Sequence, residues 1–558
     1  MVKNIRVVVG LDFGTTFSGI AWALEGNSED IEIVSSWPGG GNRKACEGRF
    51  VNSNLGTTLK VPSVISYEKE GSKWGYQVGP LCEVIRGSKL LLDESQDQEY
   101  APSLASKSLL AQYGKSAVQT SGEYLAYLVL HVKDTLQRRF GDAAKSMELK
   151  FVLTVPAVWS DKAKDATLRA AIMAGINSQQ ISLVSEPEAA ALHSLRTIQP
   201  NSITDLISYK VQDLDPLSLE EATEGTGAVC GSLLLDERFE RFLMKKLGLE
   251  TYQSLPIKSK EAALSFWRDM VKPTFGEESD CDSLDVDHFV PLPGAADQPD
   301  KNIDGGFVQL EGGEIEDIFE PIVSRVEELV RAQLEKVVRV QLNAKAIVLV
   351  GGFGSSRYLF QRLKDSNPSI TVRTSNSKFF SLLTSTSGAA LRGLEGNRVE
   401  TRISRRWYGV SAYTKFDKSH HAKRDKRWSG FEEFWVVDDK MTWYINKSAR
   451  ISERQPIKFD FYRAVRSDQA NNLRFTDNLF FCNDERGPEF RCDRVLPLCT
   501  LQTDLSKIPR QLFERKRNSK GIEYLKISYT LTVTPTSALL LFDLEFNGTS
   551  YGSVSSRY

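Results

Sequence analysis

The spacing of apolar residues near the N-terminus predicts two β-strands joined by a short polar turn. Val7 to Leu11 is one continuous apolar run, and Ile20 to Leu24 is a second. Between them lie Asp12, Gly14 and two threonines, which are residue types common in turns. We therefore expect backbone N–H groups and hydroxyls to converge at this turn.

Farther along, the apolar period switches repeatedly between helix and strand. The pattern predicts a helix, a strand, a helix capped by Ser160, a second strand and an alanine-rich helix with a proline in its first turn. These segments span Leu125 to Phe140, Phe151 to Val155, Ser160 to Gly175, Ile181 to Val184 and the residues from about Glu188 onward. Such alternation is typical of an α/β fold.

A second α/β stretch is predicted near residue 350. Glu314 to Val338 has the spacing of a long amphipathic helix, and it leads into Ala346 to Val350, which we expect to be a buried strand. A glycine turn and another helix follow. Phe275 to Gly306 is rich in Asp, Gly and Pro, and is predicted to be a long loop or surface insertion.

After about residue 398, period-two alternation dominates, as in Ile457 to Phe461, Leu525 to Val533 and Phe542 to Phe546. This alternation predicts half-buried antiparallel strands. We therefore expect an α/β region over 1–397, followed by a β-rich domain over 398–558.

Composition excludes several classes of protein. The 558 residues carry 71 basic and 72 acidic side chains, a net charge of −1, so no long-range field favours nucleic acid or a membrane surface as partner. No run of apolar residues is long enough to cross a membrane, and no leader pattern opens the chain. Seven scattered cysteines without a C-x-x-C pair suit a reducing compartment, so we expect a cytoplasmic protein.

The turn after Val7 to Leu11 contains groups suited to a phosphate. Backbone N–H groups around Gly14, with the hydroxyls of Thr15 and Thr16, form a potential anion nest. Asp12 cannot face an anion favourably, so its natural role is to hold a hydrated Mg²⁺. An ordinary hairpin turn explains these residues equally well.

Four segments in order resemble the 70-kDa heat-shock protein family, in its divergent fungal branch, over about residues 5 to 395. They are LDFGTTFSG, FVLTVPAVWSDKAKDATLRAAIMAGI, LVSEPEAAALHSL and AIVLVGGFGSSRYLFQRL. The resemblance implies a two-lobed actin-like ATPase over 1–397, with ribonuclease H-like lobes of about 1–195 and 196–397. It also implies ATP or ADP with Mg²⁺ as cofactors, and client polypeptides and co-chaperones as partners.

The same resemblance implies roles for particular residues. Asp12, Gly14, Thr15 and Thr16 would contact Mg²⁺ and phosphate, and Glu186 would orient the attacking water. The remaining implied nucleotide contacts are Gly225, Gly227 and Gly231 on the phosphate side and Gly351, Gly352, Gly354, Ser355 and Arg357 near the adenosine. A helix-start carboxylate stabilised by the helix dipole is the alternative for Glu186.

The family's second phosphate motif, D-x-G-G-G-T-x-D, is missing. The chain runs from LRTIQPNS directly into ITDLISYKV, and Asp205 alone matches the motif's closing Asp. The lost turn would supply two or three charge-assisted hydrogen bonds of about 1.5 to 3 kcal/mol each. A mis-predicted intron and a true deletion both explain the gap. Because the missing strand belongs near the middle of a sheet, we expect its absence to expose backbone hydrogen-bonding groups.

The family's catalytic lysine is also not found in VPSVISYEKEGSKWGYQVGP. Three functions therefore stay open. They are an ATPase coupled to client binding, a degenerate pseudo-ATPase acting as scaffold or nucleotide sensor, and a kinase of the same superfamily, for which no base carboxylate is identified.

Overall fold

A computed structural model describes residues 5–27, 30–40, 59–68, 71–79, 82–93, 101–157, 159–197, 205–214, 217–228, 230–276, 287–349, 353–373, 384–421, 426–470 and 473–557. The chain divides into two compact units. The N-terminal unit contains Met1–Ser208 and Gly225–Arg398, and the C-terminal unit contains Tyr209–Glu224 and Val399–Tyr558. The division at Arg398 adjoins the predicted boundary, whereas Tyr209–Glu224, expected in the second lobe, belongs to the C-terminal unit.

The strands of the first lobe of the N-terminal unit are β1 Arg6–Asp12, β2 Phe17–Leu24, β3 Glu32–Ile33, β4 Val61–Pro62, β5 Val64–Glu68, β6 Gly71–Trp74, β7 Ile85–Arg86, β8 Glu148–Val155 and β9 Ile181–Ser185. The main sheet has the order β3-β2-β1-β8-β9, with β4 paired to β2, and a smaller sheet has the order β6-β5-β7. The first four helices of this lobe are α1 Ala101–Gln112, α2 Ala117–Phe140, α3 Asp161–Met173 and α4 Glu186–Thr197.

These elements confirm the predicted alternation of strands and helices. Residues 7–11 of β1 are buried, as expected for a strand covered on both faces. Ser160 caps α3, because its side chain accepts a hydrogen bond from the N–H of Ala163 at 3.2 Å. The mixed α/β character of the chain agrees with a two-lobed actin-like fold followed by a β-rich region.

The second lobe holds shorter strands and a long helix. Continuing in chain order, the strands are β10 Asp205–Leu206, β11 Tyr209–Leu214, β12 Leu217–Glu221, β13 Thr226–Gly227, β14 His288–Pro291, β15 Ile303–Asp304, β16 Phe307–Leu310, β17 Ala346–Val348 and β18 Thr371–Arg373. Of these, β11 and β12 belong to the C-terminal unit and the others to the second lobe. The helices are α5 Ser232–Leu247, α6 Leu249–Ser254, α7 Ile257–Phe266, α8 Lys272–Thr274, α9 Gly312–Arg339, α10 Arg357–Ser366 and α11 Thr384–Glu395. Helix α9 confirms the predicted amphipathic helix.

Helix α11 follows the second lobe in sequence but packs on the first lobe, against β1, β8 and α4. Glycines permit this close packing. A Cβ at Gly388 would lie 1.7 Å from the carbonyl oxygen of Ala189, and one at Gly10 would lie 2.4 Å from that of Thr386. The helix therefore ties β1 and α4 together, and these two elements carry Asp12 and Glu186.

The predicted buried strand at 346–350 is wrong in its burial. Ala346 is exposed, Ile347 is half-buried, and 43% of Val348 is exposed. Within the described residues, β17 pairs with β18 alone and β10 pairs with β13 alone. The expectation that the missing strand exposes backbone hydrogen-bonding groups stays a prediction, because residues 198–204 and 350–352 lie outside the described part of the chain.

The predicted loop over Phe275 to Gly306 is also wrong in part. Strands β14 and β15 lie within it and pair with β16 in the order β14-β16-β15. Val290 and Ile303 are fully buried in the second-lobe core. Asp, Gly and Pro mark the turns between these short strands, and their density hid the apolar residues.

The further strands of the C-terminal unit are β19 Val399–Ile403, β20 Trp407–Lys415, β21 Arg427–Ser429, β22 Phe434–Ile445, β23 Arg450–Ile451, β24 Ile457–Arg466, β25 Arg474–Cys482, β26 Leu496–Asp504, β27 Glu514–Arg517, β28 Glu523–Pro535, β29 Leu540–Phe546, β30 Thr549–Ser553 and β31 Ser555–Arg557. They form two large antiparallel sheets, in the orders β21-β22-β20-β25-β26-β31 and β24-β28-β29-β30, with β27 paired to β28. A smaller sheet has the order β11-β12-β19-β23.

The two large sheets of this unit share one hydrophobic core. Leu479 and Leu501 come from one sheet, and Leu531 and Phe542 come from the other. The period-two alternation at residues 457–461, 525–533 and 542–546 is confirmed as β24, β28 and β29. In the described part of the chain, no helix has the length and apolar character needed to cross a bilayer.

Candidate functional site

Parallel pairing places three chemically active positions at one edge of the first-lobe sheet. Strand β1 runs parallel to β8, and β8 runs parallel to β9, so their carboxyl ends meet at the same edge. Asp12 ends β1, Thr154 lies next to the end of β8, and Glu186 directly follows β9. Ligands of α/β sheets bind at the carboxyl ends of strands, which makes this edge the candidate site.

Asp12 is buried and held by two protein donors. The Thr154 hydroxyl donates to Oδ1 at 2.8 Å, and the Lys60 ammonium donates to Oδ2 at 2.6 Å. Burial alone raises the pKa of Asp12, but the charges of Lys60 and Lys89, with hydrogen bonds from Lys60 and Thr154, outweigh it and hold the pKa below its ordinary value. Asp12 is therefore an anion at neutral pH.

Glu186 forms a second buried ion pair. Its Oε1 accepts a hydrogen bond from the Lys89 ammonium at 2.5 Å, and the two side chains are 2% and 3% exposed. The rings of Phe13 and Trp159 lie 5.9 and 5.5 Å from the same ammonium. The two charges of an ion pair this deeply buried attract each other strongly, because little water screens them.

The turn after β1 has the tight geometry that its glycine suggested. A Cβ at Gly14 would lie 2.1 Å from the carbonyl oxygen of Phe17, so a side chain there would force the turn open. Thr15 is half-buried and Thr16 is exposed, and the Thr16 carbonyl accepts a hydrogen bond from the N–H of Ser63 at 2.7 Å. The turn is tight and Thr16 is reachable from solvent, which suits an anion nest.

The second-lobe candidates form a separate group. Asp205 lies directly opposite Gly227 in the β10–β13 pair. Gly225, which is buried, directly precedes β13. Gly231 precedes α5 as its N-cap residue. Nearby, the side chain of Gln333 from α9 accepts a hydrogen bond from the Thr226 hydroxyl at 2.9 Å. The structure thus brings Asp205, Gly225 and Gly227 together.

The predicted adenosine contacts are described in part. Gly351 and Gly352 lie outside the described residues, as does the segment 198–204 at the missing motif. Gly354 is buried in a short 3₁₀ turn that also contains Ser355, and Arg357 is exposed at the start of α10. We predict that this turn and the turn after Asp12 face each other across one crevice, and that statement stays a prediction.

Lys60 and Lys89 were missed by the sequence reasoning. The search for a catalytic lysine covered VPSVISYEKEGSKWGYQVGP, and these two lysines flank that segment on either side. They are 48 and 97 residues from the carboxylates they bind, so no local spacing connects them. The sequence feature that could have identified Lys89 is its position beside a run of leucines, in SKLLLD, because lysine is rarely buried without a partner.

The donor set around Asp12 does not fit a hydrated Mg²⁺. Both carboxylate oxygens are engaged by protein donors, and the cation beside Oδ2 is an ammonium. The part of the chain that the structure describes contains no group of three or more His, Cys, Asp or Glu that could hold a metal ion. We therefore derive no chemical step through Mg²⁺ at Asp12.

Known proteins resemble part of this chain. No protein-family model matches it. It is 27% identical to mouse heat shock 70 kDa protein 12A over 223 residues, 38% of this chain and 31% of that protein. It is 28% identical to human heat shock 70 kDa protein 12B over 222 residues, 36% of this chain and 30% of that protein. A chaperone protein HscA homologue of Acinetobacter baumannii is 26% identical over 223 residues, 38% and 31% of the respective chains.

The matches thus span about a third of the length of these curated relatives. They agree with the family resemblance of the four sequence segments. The chain is a distant relative of the 70-kDa heat-shock proteins.

Proposed function

We propose that this protein binds ATP or ADP at the edge where β1, β8 and β9 end. The observation that carries the proposal is the pair of buried ion pairs, Asp12 with Lys60 and Glu186 with Lys89, beside the tight Gly14 turn. Buried charges are costly to keep, and a buried carboxylate with a shifted pKa, such as Asp12, marks a candidate functional site.

Each element has a task in this proposal. The backbone of Gly14 to Thr16 and the two threonine hydroxyls receive the phosphate oxygens. The two lysines offset part of the phosphate charge. The second-lobe phosphate contacts would be Gly225, Gly227 and Gly231, with Asp205 opposite them, and the base and ribose would lie along residues 351–357.

Within this proposal, nucleotide turnover is slow or lacking, and the protein acts as a nucleotide sensor. Two features support this role: Glu186 is committed to Lys89 at 2.5 Å, and the sequence lacks the second glycine-rich phosphate motif. The Oε1 lone pair that accepts the hydrogen bond from Lys89 is not available to take a proton from water. The second candidate is an ATPase coupled to client binding by the C-terminal unit, with co-chaperones, in the cytoplasm.

Isothermal calorimetry with ATP and ADP tests nucleotide binding, and Gly14→Ala is the informative variant. Its Cβ opens the turn, so we expect the Kd to rise at least about tenfold, or 1.4 kcal/mol. Gly313→Ala is the matched control, because a Cβ there meets no atom within 4 Å. Wild-type protein that binds neither nucleotide would refute the proposal.

Single-turnover phosphate release separates the two candidates. A sensor binds ATP and releases no phosphate over many minutes. An ATPase releases phosphate, and Glu186→Gln slows it by about a hundredfold or more. Protection of a heat-denatured client by the full chain, stronger with one nucleotide than with the other, would support the chaperone reading.

A further inference from the structure

Asp12, Gly19 and Lys60 lie in one row across three neighbouring strands. The register of β1 and β2 pairs Asp12 with Gly19. The register of β2 and β4 pairs Ser18 with Val61, so the next position places Lys60 beside Gly19. Side chains in one row of a sheet project from the same face. The sheet itself therefore aligns Lys60 with Asp12.

Gly19 lets the lysine cross the middle strand. A Cβ at Gly19 would lie 3.4 Å from both Cγ and Cε of Lys60, so the aliphatic stem runs directly over this glycine. The ammonium then reaches Oδ2 of Asp12, with 15% of the lysine side chain exposed. The Lys60 carbonyl accepts a hydrogen bond from the Tyr76 hydroxyl at 3.0 Å, which fixes the backbone at the start of the stem.

A buried hydroxyl lies on the same face. Thr386 of α11 is fully buried, and its Oγ1 lies 2.9 Å from the Cβ position of Gly19. Among the described residues, this oxygen has no hydrogen-bond partner. Buried hydroxyls are normally satisfied, so the row is lined by a polar group suited to a further polar ligand atom.

The Lys60 ammonium stands where a cation bridging Asp12 to a phosphate would stand. A Mg²⁺ ion bound to the same Asp12 oxygen would be repelled at close range by the Lys60 ammonium. Lysine, in turn, is a point charge well suited to phosphate. The residues around Asp12 thus supply a cation of their own.

We propose that Lys60 is a resident cation for the nucleotide phosphates, and that nucleotide binding by this protein does not require Mg²⁺. The inference rests on the proposed nucleotide binding and deepens it. Its ligand class is a nucleoside di- or triphosphate in the metal-free form. The ammonium bridges Asp12 and a phosphate oxygen above the Gly14 to Thr16 turn.

Calorimetry of ADP binding to the full chain, in excess MgCl₂ and in excess EDTA, tests the inference. We expect the wild-type Kd to differ by less than about threefold between the two conditions. For Lys60→Met, we expect binding in EDTA to weaken at least about tenfold, and MgCl₂ to restore much of it. Lys73→Met is the matched control, since Lys73 pairs with Glu68 on the same lobe and is 48% exposed.

The outcomes separate this inference from the proposed function. Wild-type binding that weakens more than about tenfold in EDTA overturns the resident cation and leaves nucleotide binding intact. Absence of binding in both conditions overturns nucleotide binding itself. If Lys60→Met fails to fold, the wild-type comparison still decides, and Lys60→Arg, which keeps the charge, is expected to bind in EDTA within about tenfold of wild type.

Discussion

The two lobes of the N-terminal unit differ in how well their strands are buried. In the first lobe, β1 is flanked by β2 and β8 and covered by α11, so residues 7–11 are buried. In the second lobe, β17 has one described neighbour and 43% of Val348 is exposed. The first lobe can therefore hold buried charges in fixed positions, whereas the exposed strand of the second lobe offers little packing to fix a ligand.

Breaking the Lys89–Glu186 pair should give the largest effect on the first lobe. Lys89→Met leaves the Glu186 carboxylate buried without its cation, and we expect a loss of about 3–5 kcal/mol in stability. Hydrogen exchange of β1, β8 and β9 should then rise well above that of α9. The double variant Lys89→Met/Glu186→Gln should recover more than half of the loss, and a double variant as unstable as the single one would contradict the pairing.

A smaller effect is expected where α11 meets α4. The added methyl of Gly388→Ala must displace the Ala189 backbone, because its Cβ would lie 1.7 Å from the carbonyl oxygen. We expect a loss of about 1–3 kcal/mol, measured as a lower urea midpoint for the first lobe. Gly313→Ala in α9 is the control, and there we expect no loss or a gain of up to about 1 kcal/mol. Equal effects at both positions would show that α11 does not clamp the first lobe.

The smallest effect is expected on the exposed strand of the second lobe. Val348→Ala removes two methyl groups that are partly in water, so we expect a loss below about 1 kcal/mol. The same change at Val152 of β8, which is fully buried, should cost about 2–3 kcal/mol. Thermal unfolding of the two variants measures the contrast, and a Val348→Ala loss as large as that at Val152 would mean that β17 is covered in solution.

Sequence reasoning succeeded where a local pattern determines the outcome. The apolar run before Asp12, the cap at Ser160 and the alternation in β28 each depend on neighbours in the chain. It failed for β17, because an apolar run predicts a buried strand only if other elements cover both of its faces. It also failed within Phe275 to Gly306, where the apolar residues of β14 and β15 are few and spread between turns.

The candidate site shows the same limit. Asp12, Gly14 and Glu186 could be chosen from motifs, because each motif is contiguous. Lys60 and Lys89 could not, since only the folded sheet brings them to their carboxylates. The glycine at position 19 illustrates the point: its use becomes visible only when Lys60 is seen to pass over it.

The path of the chain has a practical consequence for dissecting this protein. The hairpin β11–β12 joins the C-terminal unit, and Leu219 of β12 pairs with Val399 of β19. The polypeptide therefore passes between the units three times, near residues 208, 224 and 398. Cutting a single peptide bond at 398 would leave the hairpin attached to the wrong fragment. Separating the units cleanly requires a circularly permuted gene or co-expression of interlocking fragments.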